Sequence, residues 1–412
     1  MGYAVQTRRL FLAGSAFSVV TAQELLAAPH HRHAPARAGK KPAAAGNDAA
    51  PVAGTPATSP LGPVDTVARW AFIVDFTSGT VLLEKAADDH MPPSSLTKMM
   101  TAYVVFAMLR AGRIRLDQSF PVSERAWQMQ GSKMFVPLGG MVSVEELIQG
   151  MLIQSGNDAC IVLAEGIAGS EEQFVNLMND TAGKLGMANT HYMNSTGWPS
   201  DNHYMSARDT ATIAVHLIRD FPEYYHYFSE TEFKYNKISQ GNRNVLVDKG
   251  LADGLKTGHT DAGGYGLCAS SLRNGRRVVM AINGMASSNE RAHEGERLMA
   301  WAFANFESVP LLKKGQVLEQ VPVWNGTART VPGTPAQDLT LTLPRGWQSK
   351  VHFSVDYNQP VPAPVAAGQA VGQITIALDG GQNIPVPLVA GNAVPKLGFG
   401  GRIGRRLGLG GH

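Results

Sequence analysis

Cysteine is almost absent: Cys160 and Cys268 are the only two in 412 residues. At most one disulfide could form. Because both lie inside apolar runs, two buried free thiols are expected instead. An excess of one charge sign is also missing, with 36 Lys and Arg against 33 Asp and Glu and a net charge of +3. The basic residues are scattered rather than gathered in a stripe, which argues against a nucleic-acid partner. No internal apolar run reaches the roughly 20 residues needed to cross a bilayer, so no integral membrane segment is expected in the mature chain. His293-Glu294 lacks a second histidine four residues after the first, so no zinc-protease pattern competes, and no cofactor or metal is expected. There is no internal repeat. What is present is 44% hydrophobic and 17% charged residues, enough for a sizeable core, in a length that suits two or three domains.

The chain opens with Arg8 and Arg9 before an apolar stretch from Leu10 to Ala22, followed by Ala27 and Ala28. Residues 1–28 are read as an export signal. Thr7 to Leu12 is similar to a twin-arginine signal, and that route and the ordinary secretory one both stay open, as do cleavage after Ala22 or after Ala28. Residues 29–64, rich in Ala, Pro, Gly, Lys and His, have too few large apolar side chains to offset ordering entropy and are read as a disordered linker. Its cluster His30, His31, Arg32, His33 reads as solvated and basic.

A globular pattern begins at Val67, and residues 65–308 form the expected first domain. Ala71–Asp75 and Thr80–Glu84 read as strands joined at Thr77-Ser78-Gly79. After Pro92-Pro93 a helix is expected from Ser94 or Ser95 to about Arg110, apolar on nearly every side and therefore buried. Helical patterns recur at Val144–Leu152, Ala159–Gly166, Glu171–Leu185 and Ala207–Ile218. Tyr265–Leu272 and Arg276–Asn283 flank Asn274-Gly275, the preferred dipeptide of a tight hairpin, and Glu290–Phe306 is helical again. The fold class is therefore α+β: one antiparallel sheet covered by helices and closed by the two ends of the domain. Residues 309–392 read as a small all-β domain, with strands at Val321–Trp324, Leu339–Leu343, Val351–Val355, Gln373–Leu378 and Ile384–Leu388. Residues 393–412 form a Gly- and Arg-rich tail.

Three short elements could carry chemistry. In Ser95-Leu96-Thr97-Lys98, i and i+3 at a helix start bring a hydroxyl and an amine to one face. Burial of Lys98 would lower its pKa and let it act as a base toward Ser95. The competing reading is a helix cap followed by a lysine that reaches for solvent. Ser155-Gly156-Asn157 interrupts two apolar segments and could project Ser155 and Asn157 into a cleft, or could simply turn a corner. Lys256-Thr257-Gly258 enters the strand-rich region, where an edge strand could align a peptide, Lys256 and Thr257 could receive a carboxylate, and Gly258 permits close backbone approach. Ser200-Asp201-Asn202 is a rival for the second element, but it lies in a polar loop with nothing rigid to hold it. Each element is weak alone; their combination and order are the set known from β-lactamases and penicillin-binding proteins.

Beyond these motifs the chain resembles the low-molecular-mass penicillin-binding D,D-carboxypeptidases, in Pro93 to Thr101, Gln154 to Cys160, Ser206 to Asp209, Asn242-Arg243-Asn244 and Asp253 to Thr260, and through Val321 to Trp324. The likeness runs from about Val67 to Ala390. It implies a serine β-lactamase/penicillin-binding transpeptidase-like domain that removes the terminal D-alanine from peptidoglycan stem peptides ending in D-Ala-D-Ala, with β-lactams as covalent inhibitors. It further implies Ser95 as the acylated nucleophile and Lys98 as its base, with Ser155 and Lys256 relaying the proton. Asn157 would hold the acyl amide, Thr257 and Arg243 would bind the substrate carboxylate, and the N–H groups of Ser95 and His259 would form the oxyanion hole. The His259 side chain is read either as shaping the pocket or as a strand-edge residue without a chemical role.

Export to the periplasm or the outer face of the cytoplasmic membrane is expected from the N-terminal signal. Two departures stand out. The stretch Glu124 to Phe135 is shorter than the mobile loop of some members. In the tail, Phe399, Ile403 and Leu407 recur beside Arg402, Arg405 and Arg406, but seven glycines oppose a helix, so at most a weak, reversible contact with an anionic membrane surface is expected. The alternatives are a D,D-endopeptidase, a β-lactamase with Glu172 and Asn176 as its nearest deacylating pair, and a non-catalytic penicillin-binding module.

Overall fold

The computed structural model describes residues 55–357, 360–378 and 383–399. The export signal, residues 29–54 of the linker and residues 400–412 of the tail lie outside the described residues. Two compact units are present, one of residues 55–313 with 337–350 and the other of 314–336 with 351–399.

The first unit begins with strands β1 (Trp70–Asp75) and β2 (Val81–Lys85), then a 3₁₀ turn Ser94–Thr97 and helix α1 (Lys98–Arg110). There follow β3 (Ser119–Pro121), α2 (Glu124–Gln128), β4 (Met141–Ser143), α3 (Val144–Leu152), α4 (Asn157–Ala168), α5 (Glu171–Lys184) and α6 (Ala207–Asp220). The hairpin β5 (Glu232–Tyr235) and β6 (Ile238–Gly241) leads to the short α7 (Val245–Asp248), then to β7 (Gly254–Thr260), β8 (Gly264–Arg273), β9 (Arg276–Met285) and α8 (Ser288–Asn305). The sheet order is β2-β1-β9-β8-β7, antiparallel throughout, so the sheet's first strand β1 and its last strand β9 pair in the interior and β7 is left as an edge.

Side-chain alternation explains why both faces are covered. Trp70, Phe72 and Val74 of β1 enter the core shared with α1, α3, α4 and α6, while Ala71 and Ile73 face the layer containing Leu298 and Met299 of α8. A strand buried on both faces reads as a continuous apolar run, which is how WAFIVD and VVMAIN look in the sequence. Each fully buried Leu, Ile or Phe contributes about 1.5–3 kcal/mol of transfer free energy, so this two-sided core fixes the sheet before any polar contact is counted. Caps follow the local sequence: Ser143 and Glu146 form a capping box on α3, and Ser170, Ser206 and Ser287 cap α5, α6 and α8. Asn274 and Gly275 turn the β8–β9 hairpin with φ of 51° and 79°.

Three boundaries differ from the sequence expectation. Residues 55–64 of the expected disordered linker are folded: Ala57 is buried and bridged to Val64, and Thr58 pairs with Glu84, covering the open edge of β2. The expected division at 308/309 falls inside β10 (Phe306–Leu312), and Leu339–Leu343, expected in the all-β domain, lies in β13 (Leu339–Pro344), which pairs with β10 along the register Phe306 to Pro344. Ser95 does not open the α-helix but sits in the preceding 3₁₀ turn, because Ser94 has a φ of 51° and breaks the α-helical course.

The second unit carries β11 (Glu319–Trp324), β12 (Thr330–Pro335), β14 (Val351–Tyr357), β15 (Val361–Pro362), β16 (Ala370–Leu378) and β17 (Ile384–Ala390), in the sheet order β14-β16-β17-β12-β11-β15. Strand β12 has no strand signature, since Pro332, Gly333 and Pro335 suppress it. Gly333 is needed there: a methyl would press against Leu388 and Val321.

Inside the first unit Asp75, with no exposed surface, meets Arg276 at 2.8 Å, and Arg276 also donates to the carbonyls of Ala302 and Phe306 at 3.2 and 2.8 Å. Removing one partner of a buried pair strands the other charge, so Asp75→Ala is expected to lose about 3–5 kcal/mol of stability, measured by urea unfolding.

Candidate active site

The 3₁₀ turn decides how the first motif is presented. With three residues per turn, i and i+3 lie on one line, and Lys98 Nζ sits 3.0 Å from Ser95 Oγ. Ser95 is half-buried whereas Leu96, Thr97 and Lys98 are fully buried. Lys98 Nζ also donates to Asn157 Oδ1 at 2.8 Å and to the Thr196 carbonyl at 2.6 Å. Three neighbours therefore hold the amine in place. Burial is the main cause that brings its pKa down to about 8, aided by Arg243 and opposed by the carboxylate of Asp158.

The second motif lies between α3 and α4. Ser155 has a φ of 64°, is 1% exposed, and its Oγ has no hydrogen-bond partner. An unpartnered buried hydroxyl is costly in a finished core, and is the mark of a group kept for another partner. Asn157 opens α4, and its Nδ2 donates to the Gln130 carbonyl at 2.7 Å, so one side chain joins the amine of Lys98 to the 129–132 segment. The next residue, Asp158, is buried and takes the N–H groups of Met134, Phe135 and Val136 at 2.9, 2.8 and 3.2 Å. The Glu124–Phe135 stretch is thus fastened to the floor of the site.

The third motif lies on the edge strand β7. Lys256 is 2% exposed, its Nζ reaches only the Thr257 carbonyl at 3.5 Å, and burial together with the facing charges of Lys98 and Arg243 lowers its pKa strongly. Thr257 is buried, and Gly258 packs onto the 3₁₀ turn so closely that a methyl there would overlap Ser94 Oγ and lie 3.2 Å from Ser95 N. His259 is exposed, its ring packed on Tyr265 with centroids 4.0 Å apart, across the strand pair. Arg243 donates to Ser132 Oγ at 2.7 Å, and its charge depresses the pKa of both Lys98 and Lys256. Lys98, Lys256 and Arg243 therefore make one cationic pocket, suited to an anionic end group. Beside Asn157 a cavity of about 720 Å³ is lined by Glu124, Arg125, Met129, Gln130 and Trp198.

Other candidates lie elsewhere. Ser200 is exposed in a loop, and Glu172 and Asn176 are exposed on α5. Cys160 and Cys268 are buried free thiols, both pushed up in pKa by burial. Sequence reasoning missed the segment 194–198, whose Thr196 carbonyl holds Lys98. Its signal was Asn194 followed by Gly197: Asn194 Oδ1 accepts from the N–H groups of Thr196, Gly197 and Trp198 at 3.2, 2.8 and 3.0 Å, an Asx-type turn. No group of metal-ligating side chains exists among the described residues, nor any helix long and apolar enough to cross a membrane.

A family model described as D-alanyl-D-alanine carboxypeptidase matches residues 56–287. The chain belongs to the D-alanyl-D-alanine carboxypeptidase family. A second model, the C-terminal domain of penicillin-binding protein 5, matches residues 306–396. The carboxypeptidase DacA of Escherichia coli (strain K12) is 40% identical over 340 residues, 80% of this chain and 84% of that protein. DacC of the same organism is 38% identical over 345 residues, 82% of this chain and 86% of that protein. Among solved structures, penicillin binding protein 5 from Haemophilus influenzae is 38% identical with a TM-score of 0.70, covering 80% of this chain and 98% of that one. DacD from Francisella tularensis is 31% identical with a TM-score of 0.72, covering 81% and 95%. The fold of this carboxypeptidase family member is accordingly the penicillin-binding, β-lactamase-like one, with an all-β C-terminal domain.

Close packing at Gly258 gives a direct test. Gly258→Ala is expected to slow labelling by a fluorescent penicillin by about a hundredfold, the cost of displacing a nucleophile by an ångström, read as the second-order labelling rate.

Proposed function

We propose that this chain removes the terminal D-alanine from peptidoglycan stem peptides through an acyl-enzyme on Ser95. The observation that carries the reading is the buried Lys98 amine, 3.0 Å from a partly exposed serine hydroxyl and with its pKa brought down to about 8. In the neutral state this amine accepts the Ser95 proton as Oγ attacks the D-Ala–D-Ala carbonyl. The tetrahedral oxyanion is stabilised by the N–H groups of Ser95 and His259, each such donor being worth about 2.7–4 kcal/mol. Collapse of this intermediate breaks the C–N bond, and the departing D-alanine takes a proton relayed through Ser155 and Lys256. Water then attacks the ester, releases the shortened peptide and returns the proton to Ser95.

Arg243 and Thr257 receive the terminal carboxylate, and Lys256 adds to the attraction. Asn157 has its two ends committed to Lys98 and to the Gln130 carbonyl, and holds the acyl amide from that position. β7, as the edge of its sheet, accepts the peptide as an added strand. β-Lactams acylate the same serine; penicillin-binding protein D2 from Listeria monocytogenes, 28% identical with a TM-score of 0.53, was solved in an ampicillin-bound form.

A β-lactamase would need a carboxylate poised to activate the deacylating water. Glu172 and Asn176 face solvent, and the buried Glu171 is committed to Ser195 and Arg125. Slow deacylation follows, with a penicillin adduct that persists for minutes. The reading includes export to the periplasm or the outer face of the cytoplasmic membrane, and a weak contact of the 393–412 tail with anionic lipid.

Ser95→Ala is expected to abolish both the penicillin adduct, read by intact mass, and D-alanine release from a D-Ala-D-Ala peptide. Adduct formation without D-alanine release by the native protein would favour a binding module. The pH profile follows from the lowered pKa of Lys98: below about 8 the amine is charged and cannot accept a proton, above it the amine is neutral. Acylation should therefore rise along an acid limb centred near about 8, measured by stopped-flow labelling.

A further inference from the structure

The carbonyl that orients Lys98 belongs to a segment held from behind by a carboxylate. Glu171 is the first residue of α5, where acidic side chains ordinarily face solvent and complement the helix dipole. Here it is 6% exposed and turned inward. Its Oε1 accepts from both Ser195 N, at 2.9 Å, and Ser195 Oγ, at 2.7 Å, while Oε2 pairs with Arg125 of α2. Ser195 has no exposed surface, and its own carbonyl accepts from Thr101 Oγ1 at 2.7 Å, one turn beyond Lys98 on α1. The following residue supplies the carbonyl 2.6 Å from Lys98 Nζ. Gly197, next in line, lies so close to the nucleophile turn that a methyl on it would overlap the Ser94 carbonyl.

We infer that Glu171 is a positioning residue for the acylation step, setting the place of the Thr196 carbonyl and through it the aim of the Lys98 amine at Ser95. The inference rests on the reading of Ser95 and Lys98 as nucleophile and base. Two features separate it from ordinary helix capping. The N-cap of α5 is already supplied by Ser170, whose side chain accepts from Gln173 N. Both Ser195 donors converge on one oxygen of Glu171, so the clamp depends on an acceptor at that point and not on the negative charge. Glutamine can place its carbonyl oxygen there and keep both bonds; alanine loses both and leaves two buried donors of Ser195 without a partner.

The test is stopped-flow acylation by a fluorescent penicillin, resolved into the dissociation constant of the initial complex and the acylation rate constant. In Glu171→Ala the rate constant is expected to fall by about tenfold to a hundredfold, the scale of an ångström's misplacement. The dissociation constant should stay within about twofold, because the carboxylate-binding groups are untouched. Glu171→Gln is expected to restore the rate constant to within about threefold of the native value. A native rate constant in Glu171→Ala would overturn the inference. So would equal losses in the alanine and glutamine variants, which would point to the ion pair with Arg125, or a fall in the folded fraction with an unchanged rate constant in the protein that remains. Penicillin labelling that persisted in Ser95→Ala would fell the assignment of the nucleophile and this inference with it. Loss of label in Ser95→Ala beside a native rate in Glu171→Ala would overturn this inference alone.

Discussion

Everything in the site is arranged around one amine taken out of water. Burying Lys98 penalises its charged form, and that penalty is the largest cause of its lowered pKa. An amine left free in that position would also wander among rotamers, so the same burial must be accompanied by acceptors that fix it. Asn157, the Thr196 carbonyl and Ser95 Oγ supply them from three different parts of the chain. The apolar α1 helix is thus part of the chemistry: Met99, Met100 and Ala102 bury the stretch that carries the lysine.

A second amine is buried nearby and feels the first. Lys256 is buried on β7, and the charges of Lys98 and Arg243 oppose its protonation. The hydroxyl of Ser155 is buried without a partner in the same unit. The guanidinium of Arg243 keeps a positive charge whatever the amines do.

The sheet makes this geometry possible. β7 ends as an edge because the unit's first strands insert beside β9 rather than beyond β7. That edge runs against the 3₁₀ turn Ser94–Thr97, and Gly258 and Gly197 allow contact from two sides where any side chain would collide. Rigid elements thus reach Ser95 directly, and the loops between them are tied down by buried carboxylates: Asp158 on 134–136 and Glu171 on Ser195.

Much of this was legible in the linear pattern. Apolar runs located the buried strands, 3.6-residue spacing located α3, α5, α6 and α8, and Asn274-Gly275 located the hairpin, because these signals are local. Ser95, Lys98, Ser155, Asn157 and Lys256 could be singled out since a hydroxyl and an amine at i, i+3, followed by two further polar interruptions of apolar segments, form a pattern with an order. Tertiary structure alone decided what is non-local. The return of Leu339–Pro344 to pair with β10, and the pairing of the strand built from Pro332, Gly333 and Pro335 with β17, depend on partners far away in sequence. So does the part played by Thr196, whose backbone carbonyl, a group that every residue possesses, meets Lys98 Nζ. A sequence specifies which side chains exist and which local shapes they favour; which backbone groups meet a buried amine is set only when the elements pack.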